Sequence, residues 1–151
     1  MIYNRTQSDI DNAIAIRERL QSGESLTQND IEALERGTLT INTLNRIEQK
    51  QAELKGIFNS LGYWNTSDVN NKEWAYEDYF KQADFDRILK NLEILKNAYY
   101  VYEDTPSMPN RNYRQFTTIN AVENILADLE KMIEDMNSRY MYCGETECGG
   151  Y

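Results

Sequence analysis

Three stretches of this 151-residue chain place residues of one seam alternately three and four positions apart. The first runs Leu44, Ile47, Gln51, Leu54, Phe58, Leu61, and the second Phe85, Ile88, Leu92, Leu95, Tyr99, Tyr102. The third runs Ile119, Val122, Leu126, Leu129, Ile133, Met136, Tyr140. A mean step of about 3.5 residues keeps side chains on one face of a helix and favours left-handed packing against neighbours. The expected fold class is all-α.

Capping residues and breakers set the boundaries. Thr6 with Asp9 reads as a helix start, Ile10, Ala13, Ile14, Arg17 and Leu20 as one stripe, and Gly23 as a stop. Thr27 with Asp30 repeats the pattern through Arg36, with Ile31 and Leu34 facing inward and Gly37 ending the helix. Residues 1–37 are thus expected to form a short helical hairpin. Thr40 caps a long helix, 41–61, that Gly62 terminates. An aromatic, turn-rich stretch follows to Gln82, with a helical turn expected around Tyr76–Phe80. Asp84 caps a helix over 84–103, the Pro106–Pro109 loop breaks the chain, and Thr117 or Thr118 caps a last helix, 118–140. Three helices of matched length, roughly 30 Å each, predict an antiparallel three-helix bundle over 38–140. Residues 1–140 would then be a single helical domain, and the Gly-rich 141–151 a flexible C-terminal tail.

Two details leave alternatives open. Gln51 occupies a seam position, where a polar residue either fixes register or lies at the solvent edge. Leu44-Asn45-Arg46-Ile47-Glu48 is echoed by Ile119-Asn120-Ala121-Val122-Glu123. An ordinary amphipathic first turn would look the same.

The chemistry open to this chain is narrow. It has no histidine, which removes Ser-His-Asp and Cys-His nucleophile systems and every histidine-bearing metal site. Neither common Gly-rich phosphate loop is present. Glu130 and Glu134 stand one turn apart, but beside Lys131 and Arg139 they read as a solvated helix face. Cys143 and Cys148 have too few partners for a zinc site and the wrong spacing for a redox pair, so they read as free thiols. No catalytic, cofactor-binding or metal residue is therefore expected, and the protein reads as a non-enzyme. With 25 acids against 16 bases the formal charge is −9, and the bases do not cluster, which disfavours nucleic acid and anionic lipid as partners. There is no run of about 20 apolar residues to span a bilayer. The start lacks a signal-peptide core, so synthesis and assembly in the cytoplasm are expected.

A resemblance runs through the chain in order. Arg5-Thr6-Gln7-Ser8-Asp9-Ile10-Asp11 and Leu44-Asn45-Arg46-Ile47-Glu48, with a helix ending at Leu61-Gly62-Tyr63, resemble segments of small virion proteins. These are structural proteins of tailed bacteriophages and prophages of Gram-positive bacteria. Phe85-Asp86-Arg87-Ile88 with Asn91-Leu92, Asp104-Thr105-Pro106, Ile119 to Leu126, and Tyr140-Met141-Tyr142-Cys143-Gly144 continue the likeness. The resemblance implies a non-enzymatic virion component of the tail or its distal apparatus, such as a baseplate or fibre attachment. It implies other virion proteins as partners and a homo-oligomer in the assembled particle. Family members often extend beyond the Cys-Gly, whereas this chain stops at Gly149-Gly150-Tyr151, so host adhesion by the chain itself is not expected.

Eleven tyrosines and two tryptophans suit surfaces that meet partners. The interface candidates are Trp64, Trp74, Tyr76, Tyr140, Tyr142 and Tyr151. For both tryptophans, capping the bundle core is an equally good reading. The alternative function is a cytoplasmic acidic helical regulator that binds another protein, for instance by imitating nucleic-acid charge. Lys50, Lys55, Lys90, Lys96 and Lys131 interrupt every long helix and count against such a mimic.

Overall fold

The computed structural model describes the backbone of residues 1–145 and the side chains of residues 1–138. Among these residues the regular elements are all helical, as the seams require. They are α1 (Gln7–Gln21), α2 (Gln28–Gly37), α3 (Ile41–Ser60), a 3-10 turn at Trp64–Thr66, α4 (Gln82–Lys96) and α5 (Phe116–Glu145).

The N-terminal hairpin forms where its caps place it. Asp9 and Asp30 each accept a hydrogen bond from the backbone N–H of their capping threonine, at 2.7 and 2.9 Å. The threonine hydroxyls accept from the aspartate N–H groups in return. Arg36 pairs with Asp9 at 3.2 Å and Arg19 with Asp30, so α1 and α2 run antiparallel. Gly23 and Gly62 adopt φ of 93° and 90° and end α1 and α3 as stops do. Gly37 acts differently from expectation. It is the last residue of α2, and a Cβ there would meet the Asp9 carbonyl oxygen at 2.2 Å and Ala13 Cβ at 2.4 Å. It is a close-approach glycine, not a left-handed stop. The hairpin buries Ala13 and Ile16, while Ile14, Leu20 and Ile31 stay exposed, so its inward stripe is narrower than the sequence suggested.

The three long helices run parallel, not antiparallel. Glu48 meets Arg87 and Gln51 meets Asn91, so position rises together along α3 and α4. Arg46 meets Glu123 and Lys50 meets Glu130, so the same holds for α3 and α5. Each connection must therefore carry the chain back the length of a helix. The first return lies antiparallel on α3: Thr66 bonds Asn59, Val69 bonds Lys55, and Trp74 bonds Asn45. That journey is about 20 Å along the helix axis, so the segment is nearly extended. The second return lies along α4 and α5. Tyr102 bonds Asp135, Pro106 accepts from Lys96, and Arg111 pairs with Asp86 at 2.8 Å.

Several boundaries move with this topology. The helical turn sits at Trp64–Thr66, not at Tyr76–Phe80. The fourth helix starts at Gln82, with Asp84 accepting from the Lys81 N–H at 3.0 Å from inside the first turn rather than capping. It ends at Lys96, where Asn97 to Val101 turn out of the helix to begin the return, so Tyr99 and Tyr102 are not helical. The last helix begins at Phe116, before either threonine, and continues to Glu145. Residues 141–145, expected in a flexible tail, therefore belong to α5, and 146–151 lie outside the described residues. The seams otherwise form the core. Ile47, Leu54, Phe58, Ile88, Leu92, Leu95, Leu126 and Leu129 are fully buried, whereas Leu61 is exposed. Phe80 joins Trp74 (ring centroids 5.4 Å), Tyr113 (5.0 Å) and Phe85 (6.3 Å) in an aromatic plug at the end where the helices begin.

Candidate functional site

Parallel helices with extended returns create a polar problem. A backbone laid in the groove between helices loses water, and its N–H and C=O groups need partners. One asparagine on each long helix meets that need in the same way. Asn45 accepts from the Trp74 N–H at 2.7 Å and donates to the Trp74 carbonyl at 3.0 Å. Asn91 accepts from the Asn70 N–H at 3.0 Å and donates to its carbonyl at 2.7 Å. Asn120 accepts from the Arg5 N–H at 3.2 Å and donates to its carbonyl at 2.9 Å. A primary amide presents one acceptor and one donor side by side, as a peptide edge does, so each asparagine imitates one rung of a β-ladder.

The internal echo has a structural basis in these clamps. In both copies the glutamate three residues after the asparagine takes the side chain of the residue being gripped. The Trp74 indole N–H donates to Glu48 at 3.3 Å, and the Arg5 guanidinium donates to Glu123. An arginine from another long helix closes each carboxylate: Arg87 on Glu48, and Arg46 on Glu123 at 2.9 and 2.8 Å. Glu48 also accepts from the Lys72 N–H at 3.2 Å and Asn71 Nδ2 at 3.3 Å. The Glu48 carboxylate raises the pKa of the Arg87 guanidinium, outweighing the opposing effect of burial. Gln51 completes the network. It is fully buried, donating to the Ile88 carbonyl at 2.9 Å and accepting from Asn91 at 3.1 Å, so it fixes register between α3 and α4.

Glu48 accepts five hydrogen bonds and Glu123 three, so both buried carboxylates serve as locks for the passing segments. Among the described residues no group of three metal-ligating side chains gathers, and no helix is long and apolar enough to cross a membrane.

The interface candidates divide. Trp64 is 71 % exposed on its 3-10 turn and Tyr76 is 91 % exposed in the loop before α4. Trp74 is 4 % exposed, gripped by Asn45 and Glu48 and covered by the Lys72 ammonium 3.9 Å from its ring centre. It belongs to the core and has no face left for a partner. The backbones of Tyr140 and Tyr142 lie on the last turns of α5, and Tyr151 lies outside the described residues, as does Cys148. Sequence reasoning missed Tyr79, Tyr99 and Tyr100, all exposed. Tyr99 and Tyr100 were hidden by their assignment to a helix; Tyr79 follows Tyr76 in a loop too short of apolar residues to bury either. Tyr63 packs on Tyr99 with centroids 5.2 Å apart, which sets Trp64 and Tyr100 at the end where α3 and α4 finish. Tyr76 and Tyr79 mark the opposite end. Tyr99, Tyr100, Tyr102, Met132, Asp135 and Met136 line a cleft of about 400 Å³, bridged by the Tyr102–Asp135 hydrogen bond.

No protein-family model, curated protein or solved structure matches this chain.

Proposed function

We propose that this chain is a non-enzymatic structural or assembly protein of a tailed-phage virion, working in the tail or its distal apparatus. The observation that carries the reading is the display of exposed aromatics at both ends of a locked bundle. Trp64, Tyr99 and Tyr100 stand at one end, and Tyr76 and Tyr79 at the other. Aromatic side chains supply large contact area at low entropic cost, and repetition around an axis would bury them against neighbouring subunits. Glu48 and Glu123, each held in ion pairs that tie separate segments together, favour a scaffold over a catalyst. The sequence resemblance to virion proteins of Gram-positive phages is what suggests this class of particle. The test is mass spectrometry of density-purified particles from the strain that encodes the chain. The protein should co-purify at a fixed ratio to the major tail protein, and Trp64→Ala with Tyr100→Ala should lower that ratio without changing the melt. Absence from purified particles would refute the reading.

A further inference from the structure

The groove between the N-terminal hairpin and the bundle holds an open pocket of about 330 Å³. Its charge runs against that of the whole chain. Arg5, Arg36 and Arg114 line it and no carboxylate does, on a protein whose net charge is −9. Phe80, Tyr113 and Phe116 supply most of its aromatic wall. The arginines are incompletely answered. Arg5 and Arg46 share the single carboxylate of Glu123, and Arg36 is answered by Asp9. Arg114 lies 5.9 Å from the Tyr113 ring centre and makes no ion pair among the described residues. Arg5 is 5 % exposed, and its Nη2 is buried with no hydrogen-bond partner among the described residues. A buried guanidinium nitrogen without an acceptor is costly, and a carboxylate is the acceptor that fits its fork.

The geometry points to this pocket as a binding site for an organic carboxylate carried on a flat apolar body. The volume is at the small end for ligand sites and suits an aryl acid or one acidic side chain beside an aromatic. The carboxylate would face Arg5 and Arg114 while the ring packs on Phe80, Tyr113 and Phe116. The inference is independent of any role in a virion, since it rests on the pocket alone.

Heteronuclear NMR titration of the full chain tests it, with 3-phenylpropionate, its neutral amide, and the capped dipeptide N-acetyl-Phe-Glu-amide as probes. The free acid should shift the Leu39, Tyr113 and Phe116 amides saturably, with a Kd of the order of 1 mM for so small a ligand. The neutral amide should bind about tenfold more weakly, and Arg5→Lys should lose a similar factor, because lysine keeps the pair with Glu123 but not the second nitrogen. Arg114→Gln, at an exposed position, should weaken binding with the melt unchanged. That variant and the amide comparison decide the matter should Arg5→Lys fold poorly. Binding of the dipeptide alone would assign the source to a protein side chain, and of the free acid alone to a small ligand. Both outcomes retain the carboxylate site. No saturable shift with either acid, equal binding of the amide, or undiminished binding by Arg114→Gln would overturn it.

Discussion

Replacing Glu48 by glutamine tests whether the clamp network holds the first return segment in place. Glu48 is 2 % exposed and receives donors from Arg87, the Trp74 indole, the Lys72 backbone and Asn71. A glutamine keeps the shape but offers one acceptor oxygen and turns an NH₂ toward groups that are themselves donors. The Arg87 guanidinium, 23 % exposed, then loses its countercharge at the edge of the buried site. Removing one partner of a buried ion pair typically costs about 3–5 kcal/mol, and for a domain of this size that lowers the melting temperature by roughly 10–15 °C. Thermal and urea melts followed by far-ultraviolet circular dichroism read the loss. Hydrogen exchange should show the Lys72 and Trp74 amides deprotected well before the α3 core. The double variant Glu48→Gln with Arg87→Met should fall short of the summed single losses by about 2 kcal/mol, because the second change removes the stranded charge. A Glu48→Gln melt within about 3 °C of the parent would refute the reasoning, since no buried pair of this kind breaks at so small a loss.

The other predictions probe separate links. Gly37→Ala should destabilise the hairpin by about 1–3 kcal/mol through its clash with the Asp9 carbonyl and Ala13, and an unchanged melt would show that the helices can part freely. Leu126→Asp should unfold the domain, because a fully buried seam position would receive a charge with no partner; a parental melting curve would contradict its core placement. Trp64→Phe should shift tryptophan emission to the blue, leaving only buried Trp74, and Trp74→Phe should shift it to the red; coincident spectra would contradict their opposite burial. The Thr27 backbone N–H, then its hydroxyl and Arg19, hold the Asp30 carboxyl down at about 2 from an ordinary 3.8. Its contribution is thus complete above the ordinary value and lost as pH falls from there toward 2, so Asp30→Asn should flatten the acid dependence of the melt in that window. An acid profile identical to the parent's would remove Asp30 from the account.

The helices were legible in the sequence because their seams report burial directly, and most seam positions lie in the core. Their direction was not. Periodicity gives a face but no polarity, and matched lengths with intervening breaks suit antiparallel neighbours equally well. The signal lay in the connections. The stretches from Leu61 to Lys81 and from Asn97 to Gln115 are far longer than a turn between antiparallel helices needs. Fully extended, either could span a helix more than once. The asparagine clamps were half visible in the echo at Asn45–Glu48 and Asn120–Glu123, but the gripped residues, Trp74 and Arg5, are remote in sequence and carry no matching pattern. The third clamp, at Asn91, has no glutamate three residues on and left no trace in the echo. The arginine pocket was invisible for a related reason: Arg5, Arg36 and Arg114 come from three separate segments that only the fold brings together.

The clamps also explain why these three positions require asparagine. Ordering a return segment gives up roughly 1–2 kcal/mol of backbone entropy per residue, so a segment between two helices must recover that through apolar contacts made elsewhere along it. Val69 and Trp74 supply such contacts in the first return, but only if the chain is held at the correct height on α3. Leucine at position 45 would pack in similar volume yet leave the Trp74 N–H and carbonyl without partners. Aspartate would accept from the N–H while setting a negative charge against the carbonyl oxygen. Only a carboxamide answers both backbone groups of one residue and remains neutral. Height is then fixed at Asn45 and Asn91 together, on two different helices, and Gln51 links those helices to each other. A slip of the segment by one residue would break two clamps at once and carry Trp74 away from Glu48. The parallel arrangement is therefore specified by polar groups, while the apolar seams supply most of the energy and almost none of the direction.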